Sequence, residues 1–318
     1  MPKKDPLQET LSELNRLRDN SSDPDFTEAL RTALGNKSSH LVARAAQIVS
    51  EDEITGLESE LAAAFERFLE DPMKTDPGCS AKAAIAEALY LNAGQSSANP
   101  VLERVFLRGV RFIQLEPVYG GKQDMAGKLR AYCGMGLAET FHPQALILLA
   151  DLLADPVLDA RLGAVRALGS CGQAAAIPLL RLKGRLGDDD PRLMYEIFRA
   201  LLVLDPENSL ELVAGSMTGE REAEVEAAAL ALGESHLEAA FPYLQAWCQG
   251  KLRDPELSIG LTALALLRSR RAVDYLIFLV SDGPATAARQ ALQTLDVYRD
   301  DKGVWKKVEK AKRTRTDL

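Results

Sequence analysis

The stretch Asp155-Pro-Val-Leu-Asp-Ala-Arg-Leu-Gly-Ala-Val-Arg-Ala-Leu-Gly169, continued by Ser170-Cys-Gly-Gln-Ala-Ala-Ala-Ile-Pro-Leu-Leu180, decides the fold of this chain. Leu158, Ala164, Ala167 and Leu168 fall at helical spacing, and the Ala and Gly residues among them let another helix lie close against that face. Gly169 and Gly172 can end the helix in a left-handed turn, and Pro178 suits the first turn of the next one. The unit is a helix, a tight turn and the start of a second helix. Its recurrence along the chain sets the architecture.

Composition points the same way. Hydrophobic residues make up 47% of the 318 residues but aromatics only 6%, so the apolar content is mostly Ala and Leu. That mix favours closely packed helices over a β-sandwich or barrel. The formal net charge of -8 disfavours nonspecific binding to a polyanion, and so argues against nucleic acid as the partner. Cys79, Cys133, Cys171 and Cys248 are scattered with no Cys-x-x-Cys pair, which fits reduced, buried thiols in a cytoplasmic protein. Met-Pro-Lys-Lys-Asp at the start leads into no signal-peptide core. The most apolar stretch, 145–154, is interrupted by Asp151 and too short to span a bilayer. The expectation is a soluble protein with no membrane partner.

Taken in order, residues 1–24 place Leu7, Leu11, Leu14 and Leu17 on one face of an N-terminal capping helix, which Asn20-Ser-Ser-Asp-Pro24 breaks. Helix pairs are then expected at 25–34 and 39–50, 55–70 and 80–91, 100–112 and 125–139, and 143–154 and 157–168. Further pairs follow at 174–186 and 190–204, 207–216 and 221–232, 237–249 and 255–267, and 271–280 and 284–297. The second helices align on a small or apolar residue followed by an apolar one: Ile48-Val49, Ala88-Leu89, Gly136-Leu137, Ala167-Leu168, Ala200-Leu201, Ala231-Leu232, Ala265-Leu266 and Ala291-Leu292. From 136 to 265 the spacing is 31 to 34 residues, the range of two-helix repeats. About eight pairs over 25–298 predict an all-α solenoid, closed by a basic C-terminal helix and tail at 299–318.

A second regularity supports this register. Asp76 precedes Lys82 by six positions, as Asp124 precedes Arg130 and Asp155 precedes Arg161. Each Asp falls in the turn between two helices, where it can cap amides, and each base in the first turns of the second helix, within reach of a neighbouring turn. The three pairs predict a ladder of charge-assisted hydrogen bonds. Met194, Val225 and Ile259 end it in later repeats.

The Asp-to-Arg offset, Pro178 and Pro242 in first helices and the Ala-Leu-Gly ending resemble HEAT-like repeats of the phycobilisome-lyase type. The resemblance covers about residues 25 to 298 and is clearest from 143 to 235. It implies antiparallel helix pairs in a right-handed superhelix, with second helices on the concave side. Other activities on such repeats lack their residues here. HEAT-type deoxyhypusine hydroxylases carry paired His-Glu iron ligands, but His40, His142 and His236 are isolated and form no His-Glu pair. HEAT-like DNA glycosylases use a basic concave face rich in aromatics, and nothing marks the bilin pocket of a lyase. No metal motif, cofactor motif or catalytic motif is read.

Two long connections break the repeat pattern: Asp71-Pro-Met-Lys-Thr-Asp-Pro-Gly-Cys79 and Gln114-Leu-Glu-Pro-Val-Tyr-Gly-Gly-Lys-Gln-Asp124. Equivalent turns of adjacent repeats should touch. Glu116, Tyr119 and Lys122, with Lys74 opposite, are candidates for a polar recognition site, although mutual packing of two loops explains the same residues. No strand is expected before Lys122, which argues against a nucleotide-binding loop. Arg166 and Arg199 share one repeat position, preceded there by Met135, and are the candidate groove contacts. Lys302, Lys306, Lys307, Lys310, Lys312, Arg313 and Arg315 surround Trp305, either as a solvated cap or as an arm for an acidic partner. The function expected is a non-enzymatic scaffold that binds a protein partner along its concave surface. The alternative is a modifying or lyase-like enzyme using the 71–79 and 114–124 loops as a pocket.

Overall fold

Small side chains bring the helices of this chain together, and the computed structural model describes them over residues 6–18, 24–94 and 99–317. The elements are α1 (Pro6–Arg18), α2 (Pro24–Leu34), α3 (Ser39–Glu51), α4 (Glu58–Phe68), α5 (Pro72–Thr75), α6 (Ser80–Ala93), α7 (Pro100–Gly109), α8 (Gly127–Glu139), α9 (Ala145–Leu152) and α10 (Leu158–Ser170). Then come α11 (Ala176–Leu186), α12 (Pro191–Leu204), α13 (Pro206–Ser216), α14 (Glu222–Glu234), α15 (Phe241–Gly250), α16 (Leu257–Leu267), α17 (Arg270–Asp282), α18 (Ala285–Thr294) and α19 (Lys302–Arg313). The break expected over 20–24 lies, apart from Pro24, outside the described residues. Of the four leucines expected on one face of α1, Leu14 is buried and Leu17 half-buried, while the side chains of Leu7 and Leu11 also lie outside.

The chain is mainly helical, with one departure. Residues 114–124, expected as a loop, hold a two-stranded antiparallel hairpin, β1 (Leu115–Val118) and β2 (Gly121–Asp124), with Val118 opposite Gly121 and Leu115 opposite Asp124. Gly120 turns the hairpin at φ 89°, a left-handed conformation that glycine adopts without strain.

Two compact units emerge, Met1–Cys171 and Gly172–Leu318. In the first, α3 packs on α6, α6 on α8 and α8 on α10, while α2, α4, α7 and α9 lie against them. Leu41, Ile48, Phe65, Ile85, Leu89, Phe106, Leu137 and Leu168 fill the core between them. The apposition of α8 and α10 requires Gly163, because a Cβ there would stand 2.6 Å from Ala131 Cα. In the second unit, α12, α14, α16 and α18 pack in the same succession and α19 closes on α17. Gly233 serves there as Gly163 does in the first, since its Cβ would meet the Ala263 carbonyl oxygen at 2.6 Å.

Replacing Gly163 by Leu should therefore push α10 off α8, because the obstacle is backbone and cannot rotate away. The expected loss is at least about 1–3 kcal/mol, the usual cost of overpacking. Urea unfolding of Gly163→Leu beside Gly215→Leu, whose site is open, checks it: the first midpoint falls and the second changes little.

Candidate functional site

The turns of the first unit are pinned by ionised side chains taken out of water. Asp76 and Lys82 are both fully buried and bond at 2.8 Å. Asp76 also accepts hydrogen bonds from the Ala81 amide at 2.9 Å and the Lys82 amide at 3.0 Å, so it caps α6. The Lys82 ammonium donates further to the Phe68 carbonyl at 3.3 Å and stands 5.6 Å from the Phe112 ring centroid.

One repeat on, Arg130 spans two turns. It meets Asp124 at 2.7 Å, clamps Asp155 through Nε and Nη2 at 2.8 Å each, and donates to the Phe112 carbonyl at 2.8 Å. Burial opposes the guanidinium charge, but the hydrogen bonds to Asp155 and Asp124 outweigh it and raise the Arg130 pKa. Burial likewise pushes the Asp124 carboxyl up. The Ala126 and Gln114 amides, with Arg130, overcome that and hold it below the usual carboxylate range.

Of the three expected pairs, Arg130 reaches the next turn's carboxylate. Lys82 closes on its own Asp76, and Arg161 donates to the Asp155 and Pro156 carbonyls at 2.8 and 3.1 Å.

The two long connections meet. Glu116 accepts a hydrogen bond from the Gly78 amide at 2.7 Å, and Gln114, almost fully buried, donates to the Asp76 carbonyl at 2.9 Å. Glu116 is thereby a brace between the segments. Lys74 is 82% exposed and bonds Asp71 within its own turn at 2.7 Å. Tyr119 is fully exposed at the hairpin tip, and Lys122 is exposed on β2 opposite Pro117. A strand does precede Lys122, contrary to expectation. The chain then folds back as β2 instead of entering a helix, so this is not the strand-loop-helix of a phosphate site.

On the helix side of these connections lies a cavity of about 380 Å³, at the N-terminal ends of α6, α8 and α10. Glu87, Lys128, Tyr132 and Asp159 line it, with Cys79 from one connection and Gln123 from the hairpin. None of Lys74, Glu116, Tyr119 and Lys122 does. The Tyr132 hydroxyl donates to Glu87 at 2.7 Å, and its ring centre lies 6.5 Å from that of Tyr90. Burial and the Glu87 hydrogen bond push the Tyr132 pKa up, so the phenol remains a donor. Burial also pushes the Cys79 thiol up to about 12, which denies the cavity a thiolate nucleophile. What remains is a lining of both charges with a fixed phenol, suited to recognition. Sequence reading missed Glu87, Lys128, Tyr132 and Asp159. The available signal was positional: Glu87 stands one residue before the aligned Ala88-Leu89, as Arg166 stands before Ala167-Leu168.

Arg166 is exposed on α10, close enough for its charge to act on Tyr132, and Met135 is half-exposed on α8. Arg199, in the second unit, is exposed on α12 and bonds Glu196 at 2.9 Å. His40 and His236 are exposed. His142 has its side chain largely covered, with Nε2 3.4 Å from Glu103 and Nδ1 accepting from the Gln144 amide. Among the described residues no group of three His, Cys, Asp or Glu side chains is placed to hold a metal ion. No described helix is long and apolar enough to cross a membrane.

No protein-family model matches the chain. No curated protein matches it either. Among solved structures it is similar to human deoxyhypusine hydroxylase in complex with glycerol, with 17% identity and a TM-score of 0.31, over 86% of this chain and 96% of that one.

Lys82→Met should cost about 3–5 kcal/mol, because it strands a buried carboxylate. The double variant Asp76→Asn with Lys82→Met should lose less than the two single losses added, as chemical unfolding of the four proteins will show. Asp124 sets an acid limit. Its folded pKa lies below the unfolded value of about 3.9, so its stabilisation is present above about pH 4 and lost as pH falls through the depressed value. In Arg130→Met the loss should begin at higher pH, measured by urea midpoints from neutral to acid.

Proposed function

We propose that each unit is a stretch of right-handed α-solenoid built from HEAT-like pairs, and that the protein is a scaffold holding a protein segment across its second helices. The support comes from side-chain position. The first unit presents Gln47, Glu87, Met135 and Arg166 at one repeat position on α3, α6, α8 and α10, helices that pack in succession. All four are exposed or half-exposed, and they offer in turn an amide, an acid, a thioether and a base.

Adjacent packed helices lie about 8–10 Å apart. An extended chain advances about 10 Å in three residues at roughly 3.3 Å each. A segment crossing these helices would thus set every third side chain over a new repeat, with the cavity beside Tyr132 taking a larger one. Tyr132, Tyr90 and Arg166 are of the types that dominate binding energy when covered. Arg199 is the corresponding contact on the second unit. Glu116 and Asp124 act beneath this surface by fixing the hairpin that walls the cavity. Lys74, Tyr119 and Lys122 stand at the outer rim of the connections.

Catalysis in the same cavity is the weaker reading, since its thiol and phenol are both held in their protonated forms.

A photo-crosslinking residue placed at Met135 or Gln47 should capture the bound segment in cells, and one at Ile147, exposed on α9, should not. Arg166→Glu should weaken the captured complex about tenfold while helicity is kept. Capture from Ile147 in place of the second-helix positions would refute the assignment.

A further inference from the structure

The C-terminal helix sorts its charges. The helix repeats every 3.6 residues, so Lys302, Lys306, Lys310 and Arg313 fall within about 80° of its circumference. All four are exposed, and none forms an ion pair among the described residues. The remaining cations are occupied. Lys307 bonds Asp274 of α17 at 2.8 Å, and Lys312 lies 3.7 Å from Glu309. Arg315 binds Asp317 at 2.6 Å and also donates to the Gly283 carbonyl. The opposite face buries Val308 and Ala311 against the unit. The cations expected around Trp305 thus divide into an unpaired row and a paired set.

Four uncompensated cations in one row are an unusual feature on a chain whose net charge is -8. Like charges along a helix repel, and although Lys310 and Arg313 suit the C-terminal end of the helix dipole, Lys302 and Lys306 gain nothing there. Two acids close by in sequence are engaged elsewhere. Asp301 caps α19 through the Gly303 and Val304 amides at 2.8 and 3.0 Å, and Glu309 turns to Lys312.

We propose that this face of α19 is a docking surface for a short acidic protein segment, separate from the second-helix surface. Residues four apart on a helix are about 6 Å apart along its axis. The row therefore matches carboxylates recurring at that interval, as on a helix with Glu at every fourth position. A long polyanion fits less well, because the row offers it only four cations over about three turns of helix, on a chain whose net charge is -8. A lipid surface fits less well too, because the apolar side of α19 is spent on the protein core and leaves nothing to enter the headgroups.

The test is fluorescence anisotropy on the full chain with a labelled peptide of about 16 residues carrying Glu at every fourth position. A single-stranded oligonucleotide of matched charge and phosphatidylserine vesicles are the competing probes. The peptide should bind in low salt, weaken about tenfold in Lys306→Glu with Lys310→Glu, and weaken with added salt. Lys307→Gln, which removes a paired cation, should change binding far less. Circular dichroism of each variant separates lost docking from lost folding. Three results overturn the proposal: no peptide binding, binding untouched by the double reversal in a folded protein, or preference for the oligonucleotide or vesicles over the peptide.

Discussion

Arg130 is the side chain on which the candidate site depends. It reaches the carboxylate of its own turn, the carboxylate of the next, and the Phe112 carbonyl before the hairpin. One guanidinium thereby ties the end of α7, the hairpin and the start of α10 to α8. Isolated buried ion pairs are weak evidence for stability, since desolvation offsets attraction. This one differs in that it closes two turns with several directed hydrogen bonds. Its value lies in fixing where connections of unequal length stand over the second helices. The cavity beside Tyr132 is walled by those connections, so its shape follows from the same contacts.

Small residues set the other constraint. Gly163 on Ala131 and Gly233 on Ala263 let consecutive second helices approach to backbone contact. The face left free by this packing carries the variable residues, one position per repeat. Packing and exposure are thus divided along each of these helices. The inward positions are Ala, Gly and Leu, and the outward position changes from Gln47 to Glu87 to Met135 to Arg166. The exposed position can thus change without altering the core.

The helices were legible in the sequence because a 3.6-residue period written in Ala and Leu needs no tertiary knowledge to read. Pairing Asp with a base six residues on also located the turns. Which acid each base would choose was not legible: Lys82 turns inward to Asp76, whereas Arg130 is long and forked enough to take two. The hairpin was missed because each strand has four residues and β1 contains Pro117. Its only signal was the Gly120-Gly121 pair between short segments. Candidate residues for recognition were sought on the two connections, where Lys74, Tyr119 and Lys122 are exposed. The cavity lies on the side facing the helices, lined by Glu87, Lys128, Tyr132 and Asp159, and the packing of Glu116 on Gly78 that holds the two connections together has no counterpart in the sequence pattern.

The claim that one guanidinium organises these turns is tested most directly by hydrogen–deuterium exchange of Arg130→Met at neutral pH. The account predicts faster amide exchange over 114–126 and 155–158, with exchange in α12, α14 and α16 unchanged. Exchange in both turns indistinguishable from the unaltered protein would contradict it.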